Sequence, residues 1–360
     1  MMRNWRHFDF ILFGAVIVLI VIGLAFVRSA TQGVPSLEDL FSRQIIYAVV
    51  GLVLVILIAL VDYRLLGTLQ WTVYLLILVM LAALFAYGQI SGGARSWLGQ
   101  GAVQPSELAK ILLIVTLGQY LALRQEQIRR LPVVIVSLVY AIIPAVLIYL
   151  QPDLGTAVVI MVMWLAMVWA AGVRPVHLAL FAALAVVALP FLWLVLEDYM
   201  RQRLLLFFNP GQDPAARYNI EQALISIGSG GWLGKGLGAG SQSQLHFLRV
   251  RHTDFIFSVI AEESGFVGAV IVLALEAFII FRILRAAQLA RDPLGRLICV
   301  GVATIIFFQT LVNVGMNLNL LPVTGLTLPF ISYGGSSLIA LLVGIGLVES
   351  VVMRHKKIGF

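Results

Sequence analysis

Apolar residues run along this chain in blocks of roughly twenty, each long enough to cross a bilayer as a helix, with short polar punctuation between them. The blocks predict ten spans, at about 8–28, 43–61, 70–87, 104–122, 132–149, 154–171, 176–196, 256–281, 297–318 and 335–353. The polar material is concentrated in four places. These are loop 88–104, the tight turn Gln151-Pro152-Asp153, a long loop at about 197–255 between spans seven and eight, and Leu318–Ser337. The last is uncharged but too broken by proline and glycine to be one helix, and such backbone at membrane depth must be buried in protein or line a cavity. No linker, low-complexity tract or clear internal repeat divides the chain, so 1–360 is read as a single polytopic, all-α integral membrane domain.

Composition agrees. Of 360 residues, 61% are hydrophobic and only 11% charged, and the mean hydropathy is +1.02. No soluble domain is so apolar. The single cysteine, Cys299, excludes disulfides and thiolate metal sites. The net charge of +7 is a matter of sidedness rather than of nucleic-acid binding. Short segments on one side carry Arg3, Arg6, Arg64, Arg124, Arg129, Arg130, Arg174, Arg282, Arg285, Arg291, Arg296 and Arg354, whereas those on the other carry Arg28, Arg43 and Arg95. That bias predicts both termini in the cytoplasm and the long loop outside. The first apolar run reads as a span and not as a cleavable signal.

The polar places then hold the candidate chemistry. In Arg251-His252-Thr253-Asp254-Phe255, a carboxylate stands where the long loop enters an apolar helix, either as a functional group or as that helix's N-cap. Glu107 and Lys110, three apart behind Pro105, share a helix face within membrane depth. They either pair in a polar cavity, or Glu107 caps its helix while Lys110 snorkels outward. Asp153 is a strong candidate cap for the sixth span. Together Asp254, Glu107 and Asp153 are also the candidate ligands for a divalent ion, Mg²⁺ or Mn²⁺.

The long loop supplies Arg201, Arg203, Lys235, Arg249 and Arg251, cations suited to a diphosphate, and a glycine-dense run from Gly228 to Gln242. This run either lets backbone approach a ligand or is a soft surface loop. It is not a nucleotide P-loop, because Gly236 follows Lys235 where a hydroxyl residue is needed, so no nucleotide is expected. Gln242, His252, Thr253, Ser332 and Ser336 complete the hydrogen-bonding candidates for a sugar or phosphate-rich ligand.

Six motifs recur in a telling order. They are Gln104-Pro105-Ser106-Glu107-Leu108-Ala109-Lys110, Gln151-Pro152-Asp153-Leu154-Gly155-Thr156, the Gly228–Gln242 run, His252-Thr253-Asp254-Phe255-Ile256-Phe257, Glu262-Glu263-Ser264-Gly265-Phe266, and Leu328-Pro329-Phe330-Ile331-Ser332-Tyr333-Gly334-Gly335-Ser336-Ser337. In this order the chain resembles the SEDS family of shape, elongation, division and sporulation proteins, and Pro322-Val323-Thr324-Gly325 resembles its elongation branch. The resemblance implies a peptidoglycan glycosyltransferase of the bacterial cytoplasmic membrane, acting on lipid II at the outer face beside a class B penicillin-binding protein. It also implies that Asp254 is catalytic and that Glu107, Lys110 and Asp153 are functionally sensitive. A lipid II flippase and a non-catalytic scaffold are the alternatives. Two departures stand out. Arg249-Val250 replaces a common Pro-Glu, and Asn319 stands where glycine is common.

Overall fold

The computed structural model describes residues 7–355 except 88, 92–93, 98–103, 197, 209–213, 246 and 249. Each predicted span falls on a helix. In chain order these are α1 (Phe10–Thr31), α2 (Glu38–Leu60), α4 (Gln70–Tyr87), α5 (Pro105–Leu123), α6 (Leu131–Tyr149), α7 (Leu154–Ala170), α8 (Pro175–Val195), α12 (Ile256–Leu289), α13 (Pro293–Asn317) and α14 (Gly335–Met353), with the short α3 (Tyr63–Thr68) between the second and third spans. Among the described residues, seven of these are long and apolar enough to cross a membrane, and α4, α7 and α8 contain shorter apolar stretches. A two-stranded antiparallel hairpin, β1 (Gln89–Ser91) with β2 (Ala94–Trp97), lies between α4 and α5.

Local chemistry fixes where the helices begin. Asp9, Asp62, Asp153 and Asp292 each cap a helix through the side chain, accepting from Leu12 N, Arg64 N, Thr156 N and Gly295 N. Proline occupies the first turn of α5, α6 and α13, where its missing N–H leaves no gap in the helix ladder. One buried apolar cluster then joins residues from all the long helices except α8, whose side chains at Val176, Leu184, Val187 and Phe191 remain exposed.

Two stretches differ from expectation. The long loop read at about 197–255 carries helices of its own, α9 (Asp198–Phe208), α10 (Pro214–Ser229) and the single turn α11 (Ser241–Gln244). α10 packs on α12. Its buried positions, Ala223, Ser226 and Gly230 just beyond its end, repeat at helical spacing but are small, while the larger Leu224 and Ile225 face outward. Half-buried Ile227 adds a larger apolar side chain that packs on the core.

The glycine-dense run is also placed differently. α12 is broken at Gly265, whose φ of 69° and ψ of −167° are non-helical. The run fills that break with its own backbone. Lys235 N and Gly236 N donate to the carbonyls of Glu262 and Glu263, and Phe266 N and Val267 N donate to the carbonyls of Gly231 and Trp232. A methyl group at Gly234 would stand 2.2 Å from Glu263 O, and one at Gly265 would stand 2.3 Å from Gly234 N. Glycine is required because two backbones touch. The amides of Lys235 and Gly236 are thereby spent on α12.

Candidate active site

Asp254 lies one residue ahead of the N-cap of α12, which is Phe255, and the first-turn amide of Ser258 is taken by Asn317 Oδ1 rather than by Asp254. The capping role is thereby removed. Its backbone is held instead from the end of α13, where Asn313 Nδ2 and Asn317 Nδ2 donate to Asp254 O at 3.1 and 3.0 Å. Both asparagines are fully buried. Asn313 also donates to Leu326 O at 2.7 Å, which ties the irregular segment 318–334 to the same point. Ser332 continues the clamp. Its hydroxyl donates to Thr253 O at 2.8 Å and accepts from Leu328 N at 2.9 Å, and Tyr333 N donates to His252 O at 2.8 Å. The main chain from His252 to Asp254 is thus fixed from outside while the half-buried carboxylate remains available.

The surroundings set its charge. Burial pushes the Asp254 carboxyl above its ordinary value, opposed by a hydrogen bond with Thr253 and by the positive charge of Arg203. Burial, with Arg251 adding to it, lowers His252 to about 4, so this imidazole is neutral at neutral pH, and among the described residues its buried Nδ1 meets no hydrogen-bond partner. Arg203 lies beside a cavity of about 150 Å³, shared with Leu206, Phe207, Phe255, Pro322 and Val323. A methyl group added at Gly325 would stand 4.0 Å from Asp254 Oδ2.

A second cluster gathers where α5, α7 and α14 begin. Lys110 is 1% exposed and its ammonium meets Glu107 Oε1 at 2.8 Å, so it pairs inward and does not snorkel. Asp153 caps α7 through Oδ1 and accepts from Gln104 Nε2 at 3.1 Å through Oδ2. Burial raises its carboxyl, and bonds from Thr156 oppose that shift. Ser336 Oγ takes the Gln104 N–H at 2.8 Å. Segment 318–334 bridges the two clusters, because Gly155 admits Thr324 O so closely that a methyl group there would stand at 3.0 Å. The left-handed φ of 54° at Asn319 explains why glycine suits that position and why asparagine is tolerated.

The remaining candidates stand apart from Asp254. Lys235 Nζ meets Glu262 Oε1 at 2.9 Å and Ser241 Oγ at 2.8 Å. Gln242 N donates to Glu262 Oε1, and Ser243 donates to Oε2 from both its amide and its hydroxyl. Glu262 therefore pins the loop to α12. Arg201 binds the carbonyls of Trp193 and Leu194 at the end of α8, and Arg251 Nε binds Ala30 O at 2.6 Å. Arg249 lies outside the described residues.

The three carboxylates proposed as metal ligands do not form one ligand set. Glu107 is committed to Lys110 and Asp153 to its cap, and no cluster of three His, Cys, Asp or Glu able to hold a metal occurs among the described residues. At the opposite end of the bundle, Arg282 pairs with Asp9, whose N–H donates to Glu349 Oε2 at 2.9 Å.

Sequence reasoning missed Asn313, Asn317 and the part played by Glu262. The signal for the asparagines was present, since two amides four apart on an otherwise apolar span share one helix face.

Helical spans around a polar, carboxylate-bearing cluster at one end define a polytopic membrane protein with a candidate site there. The sequence model described as Cell cycle protein, covering FtsW, RodA and SpoVE, matches residues 6–357, and the chain belongs to that family. It is 38% identical over 355 residues to the peptidoglycan glycosyltransferase MrdB of Escherichia coli K12, covering 97% of this chain and 95% of that one. Stage V sporulation protein E of Bacillus subtilis is 35% identical over 95% of this chain and 96% of its own. The rod shape determining protein RodA of Thermus thermophilus superposes with a TM-score of 0.74 at 32% identity, covering 98% of this chain and 99% of that one. A chain from a study of how a peptidoglycan synthase complex coordinates polymerization and crosslinking superposes with a TM-score of 0.83 at 34% identity, covering 97% of this chain and 98% of that one.

Proposed function

We propose that this chain is a peptidoglycan glycosyltransferase that polymerises lipid II, with Asp254 as its general base. The observation that carries the reading is the division of labour at Asp254. Its backbone is clamped by Asn313, Asn317 and, through Thr253, by Ser332, yet its carboxylate does not cap α12 and lies within the positive field of Arg203. A carboxyl raised by burial is a stronger base once ionised. The naming of MrdB as a peptidoglycan glycosyltransferase, at 38% identity over nearly the whole chain, supports the same activity.

In the reaction, Asp254 takes the proton of the acceptor GlcNAc 4-hydroxyl. The oxygen attacks the anomeric carbon of the donor MurNAc, the carbon–oxygen bond to the diphosphate breaks, and polyprenyl diphosphate leaves with inversion. A diphosphate leaving group needs positive charge more than a proton, so one carboxylate suffices where a glycosidase uses two. Arg203, beside the cavity next to Asp254, meets that charge. Lys110 is already neutralised by Glu107, its neighbour on α5. Asp254 is the residue that would hold an Mg²⁺ or Mn²⁺ ion here, and such an ion would supply positive charge to the leaving diphosphate.

The reading places the chain in the bacterial cytoplasmic membrane with both termini inside and Asp254 at the outer face. It also pairs the chain with a class B penicillin-binding protein, in keeping with the synthase complex of the structural relative. The direct test is glycan polymer from purified lipid II in detergent, where no membrane sidedness exists. A flippase or a scaffold makes none.

A further inference from the structure

At the end of the bundle opposite Asp254, a cavity of about 590 Å³ opens where α5, α7, α12 and α13 meet. Its walls are of two kinds. Leu121, Ala170, Leu284, Ala287, Leu297 and Val300 make one side apolar, and Leu284 is exposed along the bundle's outer surface. Arg291 and Arg296 make the other side cationic. Both arginines are exposed, and neither side chain has an ion pair or hydrogen bond among the described residues. The one carboxylate in the lining is already occupied. Asp292 accepts from Tyr63 Oη at 2.6 Å, Arg64 Nε at 2.7 Å and Gly295 N at 2.8 Å. Two positive charges are therefore left uncompensated over an apolar floor, at the level where spanning helices end.

We infer that this cavity is a binding site for an anionic glycerophospholipid, with the headgroup phosphodiester between Arg291 and Arg296 and an acyl chain along Leu284 and Ala287. A soluble anion would use only the cationic half, and a zwitterionic lipid would bring its own cation to two arginines. Basic pockets between membrane helices at the cytoplasmic boundary are suited to such headgroups. The site is separate from the sugar chemistry and does not depend on it.

The test uses the full chain in detergent with phosphatidylglycerol, phosphatidylcholine, a polyprenyl phosphate and inorganic phosphate as competing probes, read by native mass spectrometry. Phosphatidylglycerol adducts should survive conditions that strip phosphatidylcholine. The double variant Arg291→Gln/Arg296→Gln should weaken phosphatidylglycerol retention on the order of tenfold and leave phosphatidylcholine unchanged. On the unaltered chain, a photoreactive phosphatidylglycerol should label peptides within 284–300, which keeps the test independent of how the variant folds. Equal retention of the two phospholipids, or labelling confined elsewhere, would overturn the site. Displacement by inorganic phosphate or by polyprenyl phosphate at equal concentration would overturn the assignment to a glycerophospholipid.

Discussion

Asn317 donates from Nδ2 to the Asp254 carbonyl at 3.0 Å, while its Oδ1 accepts the N–H of Ser258 at 3.2 Å and its hydroxyl at 2.6 Å. One buried amide thus joins the end of α13 to both the residue before α12 and its first turn. Asn317→Leu takes the partner from the Ser258 hydroxyl and leaves Asp254 O to Asn313 alone, at about 1–3 kcal/mol of stability. The expected result is a purified protein with lowered thermal stability whose polymer yield falls at least tenfold, although Asp254 is intact. Full activity in that variant would show that the clamp does not position the carboxylate.

Gly265 and Gly14 should respond to alanine with opposite signs. At Gly265 the φ is 69° and an added methyl group would meet Gly234 N at 2.3 Å. Gly265→Ala should therefore destabilise by more than the roughly 1–3 kcal/mol of a strained backbone alone and expose 230–245 to protease. At Gly14 nothing lies within 4 Å, so Gly14→Ala should gain about 0.5–1 kcal/mol from helix propensity. Thermal unfolding in detergent separates the two.

The spans were legible because burial on all sides, in lipid or in protein, demands a long apolar run, and Phe10–Thr31 or Leu131–Tyr149 shows one without interruption. α10 was not, because Ala223, Ser226 and Gly230 pack by being small. The glycine run was recognised as permitting close approach, but sequence cannot say what approaches, and here it is the broken backbone of α12. Asp254 was singled out by its place at the mouth of a helix. The asparagines that fix it lie 59 and 63 positions away along the chain, and only folding brings them there.

Glu107 and Lys110 should behave as a coupled pair. Glu107→Gln or Lys110→Met alone leaves a buried charge without its partner, about 3–5 kcal/mol of destabilisation. The double variant should be at least as stable as either single one. Additive losses in a thermal double-mutant cycle would mean that the 2.8 Å contact carries no energy.

Acid should switch the reaction off at a higher pH than an ordinary carboxylate would. The Asp254 carboxyl is raised by burial, so its basic form disappears as pH falls through a value above the unfolded figure of about 3.9. Stability runs the other way. The contribution of a raised carboxyl is fully present below its unfolded pKa and is lost as pH rises through the folded one. Relative to the unaltered chain, Asp254→Asn should therefore gain stability from acid to neutral pH. Parallel melting curves for the two proteins across that range would contradict the shift.

The measurement closest to the central claim is polymerisation of purified lipid II in detergent by Asp254→Asn, scored with its thermal stability. Asparagine keeps the size of the side chain and leaves the bonds from Asn313 and Asn317 to the backbone untouched. A general base lost from such a site lowers the rate by on the order of 10² to 10⁴. The account predicts a folded protein, at least as stable as the unaltered chain at neutral pH, that makes almost no polymer. Near-normal polymer from that folded variant would contradict it and remove Asp254 from the chemistry.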